Sequence, residues 1–361
     1  MLRREPSKRG IFFNAGWLLS LQLSTPGEFW PLQYPHHSSV YNDMKAILYT
    51  KYGLPDVLQL REVEKPFPKE NEVLVRVHAA SVNALEWRRF TTPGVARLMC
   101  GGLREPKSKF IGADIAGRVE AVGAAVKQFQ PGDEVYGICR GAFAEYVCAA
   151  EDKIALKPAN LSFEASAAVP LAGLTALQAV RDKGNIRSGQ KVLINGAGGG
   201  VGTFAVQIAK SYGAEVTAVC STKNQNMARS IGADHVQDYT REDCTKSGQR
   251  YDLIVAANGY HSILDYRRAL RTNGIYVVLG GAMAQIFQQF LFGPFLSLGS
   301  RKMRGVFTNI SQKDLVFLKE LIESGKVVPV IDRSYPLSNA ADAIRYLIGG
   351  HASGKVVINV V

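Results

Sequence analysis

The segment Gly189 to Lys210, GQKVLINGAGGGVGTFAVQIAK, holds the residues whose type and spacing most directly imply chemistry. An apolar strand, Lys191 to Asn195, enters the turn Gly196-Ala-Gly-Gly-Gly-Val-Gly202 and leaves it as an amphipathic helix with Val201, Ala205 and Ile208 on one face, stopped by Gly213. Such a turn offers unpaired N–H groups and the partial positive charge of a helix N-terminus, which suit a pyrophosphate. Gly199 is expected to admit the phosphates, and Gly202 to let helix and strand pack closely. Ala197 stands where the strict G-x-G-x-x-G pattern has its first glycine, yet the strand, helix and second strand (Glu215 to Cys220) supply the setting that a dinucleotide site requires.

The second strand is followed by Cys220-Ser221-Thr222-Lys223, with no acidic residue to grip a ribose 2′-hydroxyl. Two hydroxyls and a lysine suit a 2′-phosphate, so NADPH (NADP) is the expected cofactor in preference to NADH. Asn258 and Gly280-Gly281 end later strands at the face where a dinucleotide lies. Metal chemistry is not expected. The five cysteines show no C-x-x-C spacing, and His36, His37, His78, His235, His261 and His351 are isolated or lie near the N-terminus. An odd number of cysteines points to a reducing compartment, the cytoplasm. The net charge of +12 is scattered rather than gathered in a basic tract, which argues against nucleic acid as a partner. The longest apolar stretch, Ile286 to Leu298, contains Gln288, Gln289 and Pro294 and is too short to span a bilayer.

A chain of 361 residues suits two domains with a cleft between them. Residues 1–43 hold Pro26, Pro31 and Pro35 with no sustained period and read as a leader outside the fold. From Met44 short strands alternate with Gly/Pro turns: Lys45 to Tyr49, Leu58 to Val63, Glu72 to Ala80, Gly117 to Val122, Glu134 to Tyr136 and Phe143 to Ala149. After Leu161 helices alternate with strands, beginning with a helix over Ala165 to Lys183, which predicts a doubly wound parallel sheet. Ser311 and Asp314 read as a capping box for a helix ending near Gly325; a helix Ser338 to Leu347 and a strand Lys355 to Val360 complete the tail.

With these residues in view, the chain resembles the zeta-crystallin-like quinone oxidoreductase branch of the medium-chain dehydrogenase/reductases. The resemblance rests on Gly189-Gln-Lys-Val-Leu193, Ala197-Gly-Gly-Gly-Val-Gly202, Gln207 and Lys210, and on Tyr52-Gly-Leu-Pro-Asp-Val-Leu58, Ala80-Ser-Val-Asn83, Pro131-Gly-Asp-Glu-Val-Tyr-Gly137, Phe143-Ala-Glu-Tyr-Val147 and Leu171-Ala-Gly-Leu-Thr-Ala176. It implies an α/β fold: a GroES-like β domain over residues 44–165 and 308–361 and an inserted Rossmann domain over 166–307. It further implies Asn83 beside the nicotinamide as the catalytic residue, Thr175 facing the cofactor and Tyr239 near the adenosine phosphate. In the zinc alcohol dehydrogenases a ligand Cys stands at the position of Asn83 and a His-Glu pair at Ala113-Asp114, so a zinc-independent enzyme is implied.

Without a metal, hydride transfer suits an acceptor that spreads the arriving charge, a quinone or an α,β-unsaturated carbonyl. An alcohol dehydrogenase or aldehyde reductase, and a non-catalytic NADPH-binding protein, stand as alternatives. Tyr136 is a candidate proton donor that packing explains equally well; Glu86 and Trp87 follow Asn83 as pocket-lining candidates, with Glu86 equally readable as a surface charge. Phe90 to Lys109 and the apolar insert Gln285 to Ser300 are expected to shape the pocket for a small-molecule substrate. The insert also reads as a contact in a homodimer.

Overall fold

The computed structural model describes residues 43–91, 106, 108–259, 261–280, 283–350 and 352–361. Residues 1–42 of the leader, Gly281 and most of the Phe90 to Lys109 segment lie outside the described residues.

Fifteen strands are described: β1 (Asp43–Tyr49), β2 (Leu58–Glu64), β3 (Glu72–Val82), β4 (Asp114–Val122), β5 (Glu134–Ile138), β6 (Tyr146–Ala150), β7 (Ile154–Leu156), β8 (Lys191–Asn195), β9 (Glu215–Cys220), β10 (His235–Asp238), β11 (Tyr251–Ala256), β12 (Leu270–Val278), β13 (Lys302–Gly305), β14 (Ile331–Pro336) and β15 (Lys355–Asn359). The α-helices among the described residues are α1 (Ala84–Thr91), α2 (Phe163–Ala167), α3 (Pro170–Leu177), α4 (Gly200–Ser211), α5 (Gln225–Ser230), α6 (Ile263–Ala269), α7 (Met283–Leu296), α8 (Gln312–Glu323) and α9 (Ala340–Ile348).

Strands β8 to β13 form a six-stranded parallel sheet in the order β10-β9-β8-β11-β12-β13. Its residues alternate between two apolar layers. Val192, Ile194, Val216, Ala218, Leu253 and Val255 face one, with Phe204 and Ile208 of α4; Leu193, Val219, Ile254 and Ala256 face the other, with Tyr266 of α6. A parallel sheet covered on both faces needs apolar side chains at successive positions, which is why these strands are near-continuous hydrophobic runs. The second sheet is mostly antiparallel, in the order β14-β15-β3-β4-β5-β7 with β6 also on β3. Because β15 pairs antiparallel with β3 at Val356↔Val82 and Val357↔Ser81, the last strand of the chain is stitched to an early one.

Three local expectations are corrected. The predicted helix Ala165 to Lys183 is two helices followed by a wider, π-type turn over Gln178–Lys183, because Pro170 carries no N–H to continue α2 and instead opens α3 at its first position. Helix α4 begins at Gly200, inside the glycine run, so the turn is shorter than predicted. Ser311 makes no capping bond from its side chain. Asp314 instead accepts from Gln178 Nε2 at 2.9 Å and Arg181 Nη2 at 2.8 Å, which commits its buried carboxylate away from the helix end.

Candidate active site

The glycine turn is built by steric necessity at particular positions. Gly196 has φ +85°, and a Cβ there would lie 2.6 Å from Asn258 N. A Cβ on Gly198 would lie 2.4 Å from Asn224 Nδ2, and one on Gly202 only 2.1 Å from Gly196 O, so α4 packs directly on the turn that precedes it. Gly199 is different: nothing but Gly196 O, at 3.6 Å, comes near a Cβ, which leaves an open cradle at the first turn of α4. There the leading N–H groups of the helix have no intrahelical partner, and their dipoles favour an anion. Ala197 sends its methyl into the core and donates its N–H to Val219 O at 3.0 Å, a place that tolerates a small side chain.

Beside the cradle lies a cavity of about 330 Å³. It brings together Gly196 and nine other residues near the fingerprint, among them the predicted Gly198, Gly199, Ser221, Thr222, Lys223, Tyr239 and Asn258. Gly350 and Ala352 of the C-terminal tail also line it and were missed, since only the pairing of Gly354 with Gly199 carries the tail there. Gly200, Val201 and Gly202 stand behind the cavity in α4, and Gly280 follows β12. Thr175 does not line the cavity: its hydroxyl donates to Leu171 O at 2.6 Å and lies 2.7 Å from Thr308 Oγ1.

Thr222 is committed elsewhere, because its hydroxyl bonds to Asp238 on the next strand. That carboxylate also accepts from Gln225 Nε2 at 3.2 Å, from Thr240 N at 2.9 Å and from Thr240 Oγ1 at 2.7 Å. The Thr222 bond and then the Thr240 bonds hold the Asp238 carboxyl down at about 2. An acid thus sits near the place where a ribose would be read, but its lone pairs are taken. Ser221 and Lys223 line the cavity together with Asn224, Tyr239 and Asn258.

The second constellation surrounds Asn83, where β3 turns into α1. Glu86 caps the start of α1: Asn83 N donates to Glu86 Oε2 at 2.6 Å, the carboxylate half of a capping box, while Glu86 N donates to the backbone oxygen of Asn83 at 3.2 Å. The Asn83 amide donates through Nδ2 to Asp114 Oδ2 at 2.9 Å and accepts at Oδ1 from Lys355 Nζ at 2.6 Å. Asp114, fully buried, also accepts from Ser81 Oγ at 2.7 Å and from Leu171 N, at the start of α3, at 2.9 Å. Its ammonium partner Lys355 is 3.4 Å away and 3% exposed. Burial, and then the Asp114 carboxylate, push the Glu86 carboxyl up to about 7, partly opposed by Lys355. Glu86 is therefore no surface charge. Asp114 and Lys355 were not singled out for this site; a lysine opening an otherwise apolar strand was the available signal.

Tyr136 is corrected as a proton-donor candidate: it is fully buried, donates to Leu315 O at 2.7 Å, and its phenol is pushed far up by burial. Trp87 packs against the core of the antiparallel sheet. Zinc does not fit around Asn83. Among the described residues no Cys or His donor set converges there, and the buried ammonium that meets both Asn83 and Asp114 would repel a second cation. His261 is not isolated: it lies 3.7 Å from Cys244 Sγ and 3.6 Å from Asp243 Oδ1. That carboxylate already accepts from Thr245 N and Oγ1 and pairs with Lys246, which makes it a turn-closing group.

An alcohol dehydrogenase GroES-like domain matches residues 69–159, and a zinc-binding dehydrogenase domain matches residues 231–358. The chain is 34% identical to a 2-methylene-furan-3-one reductase of Solanum lycopersicum, over 99% of this chain and 91% of that protein. It is 35% identical to an NADPH-dependent alkenal/one oxidoreductase, chloroplastic, of Arabidopsis thaliana, over 89% and 81% respectively. Among solved structures, the quinone oxidoreductase from Coxiella burnetii superposes with a TM-score of 0.77 at 30% identity, covering 88% of this chain and all of that one.

Proposed function

The chain belongs to the quinone oxidoreductase-like branch of the medium-chain dehydrogenase/reductase superfamily and is an oxidoreductase that uses a nicotinamide cofactor, and from that premise we propose that it is a zinc-independent, NADPH-dependent reductase of quinones and α,β-unsaturated carbonyls. The observation that carries the reading is the Asn83, Asp114 and Lys355 cluster, a fixed set of hydrogen-bonding groups with no place for a metal. A reduced nicotinamide, when bound, supplies a hydride. What the chain itself supplies is orientation and polar stabilisation. Asn83 Nδ2 carries two hydrogens: one is donated to Asp114, while the other meets only Ser81 O and Glu86 Oε1, each at 3.4 Å. That weakly engaged hydrogen suits the delocalised charge of an enolate or a hydroquinone anion better than the full charge of an alkoxide.

NADPH is favoured because Ser221 and Lys223 line the cavity while Asp238 is saturated by its own donors. Lys223→Ala is expected to lower kcat/KM for NADPH roughly tenfold to a hundredfold, the worth of a charge-assisted bond to phosphate, and to leave NADH kinetics little changed. Equal losses with both cofactors would count against the assignment. In this reading residues 44–165 and 308–361 form the GroES-like domain and 166–307 the Rossmann domain. Two copies of the chain pair through α7 and the residues after it, where Phe295 is 70% and Leu298 84% exposed. The four described cysteines are free thiols, which suits a reducing compartment such as the cytoplasm.

The test is oxidation of NADPH by the purified protein against quinones, enones, saturated aldehydes and ketones, with NADH in parallel. Turnover of quinones or enones is expected. Turnover confined to saturated carbonyls would replace this reading with an alcohol dehydrogenase, and NADPH binding without turnover would make the protein non-catalytic.

A further inference from the structure

Lys355 joins the two constellations. Gly354 pairs with Gly199, and a Cβ on Gly200 would lie 2.8 Å from Lys355 Cδ, so the lysine stem runs past the glycine turn at the head of α4. Its ammonium then ends in the other sheet, 2.6 Å from Asn83 Oδ1, with Val82 O and Asp114 Oδ2 each at 3.4 Å. The register brings it there, since β15 pairs with β3 at Val356↔Val82. Chemistry fixes the amide between the two charges. Reversed, Asn83 would point its NH2 group at an ammonium and its carbonyl oxygen at a carboxylate, so only one orientation satisfies all three groups.

We propose that Lys355 is a positioning residue of the reductase, acting through Asn83: it holds the amide oxygen, fixes the direction of both Nδ2 hydrogens, and links the glycine turn to that amide. The inference rests on the reductase reading above. An amide whose oxygen accepts from a cation is polarised and donates more strongly from its nitrogen, because hydrogen bonds in a chain reinforce one another at low dielectric. A lysine in a merely structural role would lower stability when removed but leave the donor strength of Asn83, and so kcat of the folded variant, alone.

Glu86 reports on the pair. It contacts Asn83 directly, and among the described residues the charges bearing on it are Asp114 from β4 and Lys355 from β15. Removing the cation raises the pH at which its carboxyl titrates; removing the anion lowers it. Packing alone gives no such opposition.

The experiment uses the full chain as Lys355→Met, Lys355→Arg, Asp114→Asn and the double variant Lys355→Met/Asp114→Asn. The double variant removes both charges of the Lys355–Asp114 pair, so it keeps the test readable if the single ones fold poorly. Folding is checked by circular dichroism and NADPH affinity by fluorescence. Glutamic acid carboxyls are titrated by infrared difference spectroscopy without substrate, with Glu86→Gln assigning the band. Lys355→Met is expected to lower kcat roughly 100-fold, the scale of a misplaced reacting group, with smaller changes in NADPH affinity and KM. Lys355→Arg is expected to recover most of it, whereas the double variant folds and does not. The Glu86 midpoint is expected above the wild-type value in Lys355→Met and below it in Asp114→Asn. A folded Lys355→Met with wild-type kcat, a double variant that recovers kcat, a loss confined to NADPH affinity, or midpoints that do not move in opposite directions each overturn the inference. A wild-type protein that reduces neither quinones nor enones overturns the reductase reading instead, and the substrate-free titration separates that failure from this one.

Discussion

Gly202→Ala is expected to abolish cofactor binding and to lower the thermal midpoint together. A methyl at this position falls 2.1 Å from Gly196 O and 2.8 Å from Ala197 Cα. Both are backbone atoms that no rotamer change can move aside, so either α4 slides outward or the turn deforms. Overpacking of a close-packed contact costs about 1–3 kcal/mol when side chains can adjust, and here the strain falls on main chain. Gly199→Ala is the contrasting case. Its backbone is extended (φ −91°, ψ 170°), a region alanine adopts freely, and a Cβ meets nothing nearer than 3.6 Å. Its methyl fills the cradle that the phosphates need, so NADPH affinity falls while the melting temperature stays near wild type. Differential scanning fluorimetry with and without NADPH distinguishes the two. A Gly202→Ala protein that melts like wild type, or a Gly199→Ala protein that binds NADPH normally, would falsify this division of labour.

That contrast also explains what could be read from the chain before its structure. The glycine turn was legible because its demands are local: a strand, a tight turn and a helix N-terminus follow from neighbouring residues, and β8 and β9 begin and end where the apolar runs do. The parallel sheet was legible for the same reason. The acid-base cluster was not, because the Lys355–Asn83 bond joins residues 272 apart in the chain and depends on the β15–β3 register. Asn83 could be singled out from its motif, but nothing near it announces a buried ammonium. Thr222 failed in the same way: its hydroxyl was assigned to a phosphate, and the carboxylate that takes it lies on another strand. Pro170 was visible and its effect underweighted, since a proline that can open a helix also ends the one before it.

Glu86→Gln is expected to stabilise the protein at alkaline pH and to leave it unchanged in acid. In the fold the Glu86 carboxyl is pushed from its ordinary value of 4.5 up to about 7, first by burial and then by the Asp114 carboxylate. For an acid with a raised folded value, the contribution is fully present below pH 4.5, where both the folded and unfolded chains carry the proton. It is lost as pH rises toward 7, because the unfolded chain releases the proton first. Above that window the wild type holds a buried carboxylate beside a second one, at a cost of roughly 3 kcal/mol, the difference in proton affinity expressed as free energy. Glutamine has the shape of the protonated acid, and its carbonyl can still accept from Asn83 N, so the cap on α1 is retained. The two unfolding free energies, measured by denaturant titration from pH 4 to pH 9, should therefore coincide at the acid end and diverge through the neutral range, with the variant the more stable. Curves that remain parallel would mean that Glu86 keeps an ordinary carboxyl in the fold, and the cluster around Asn83 would then carry two negative charges against the one ammonium of Lys355.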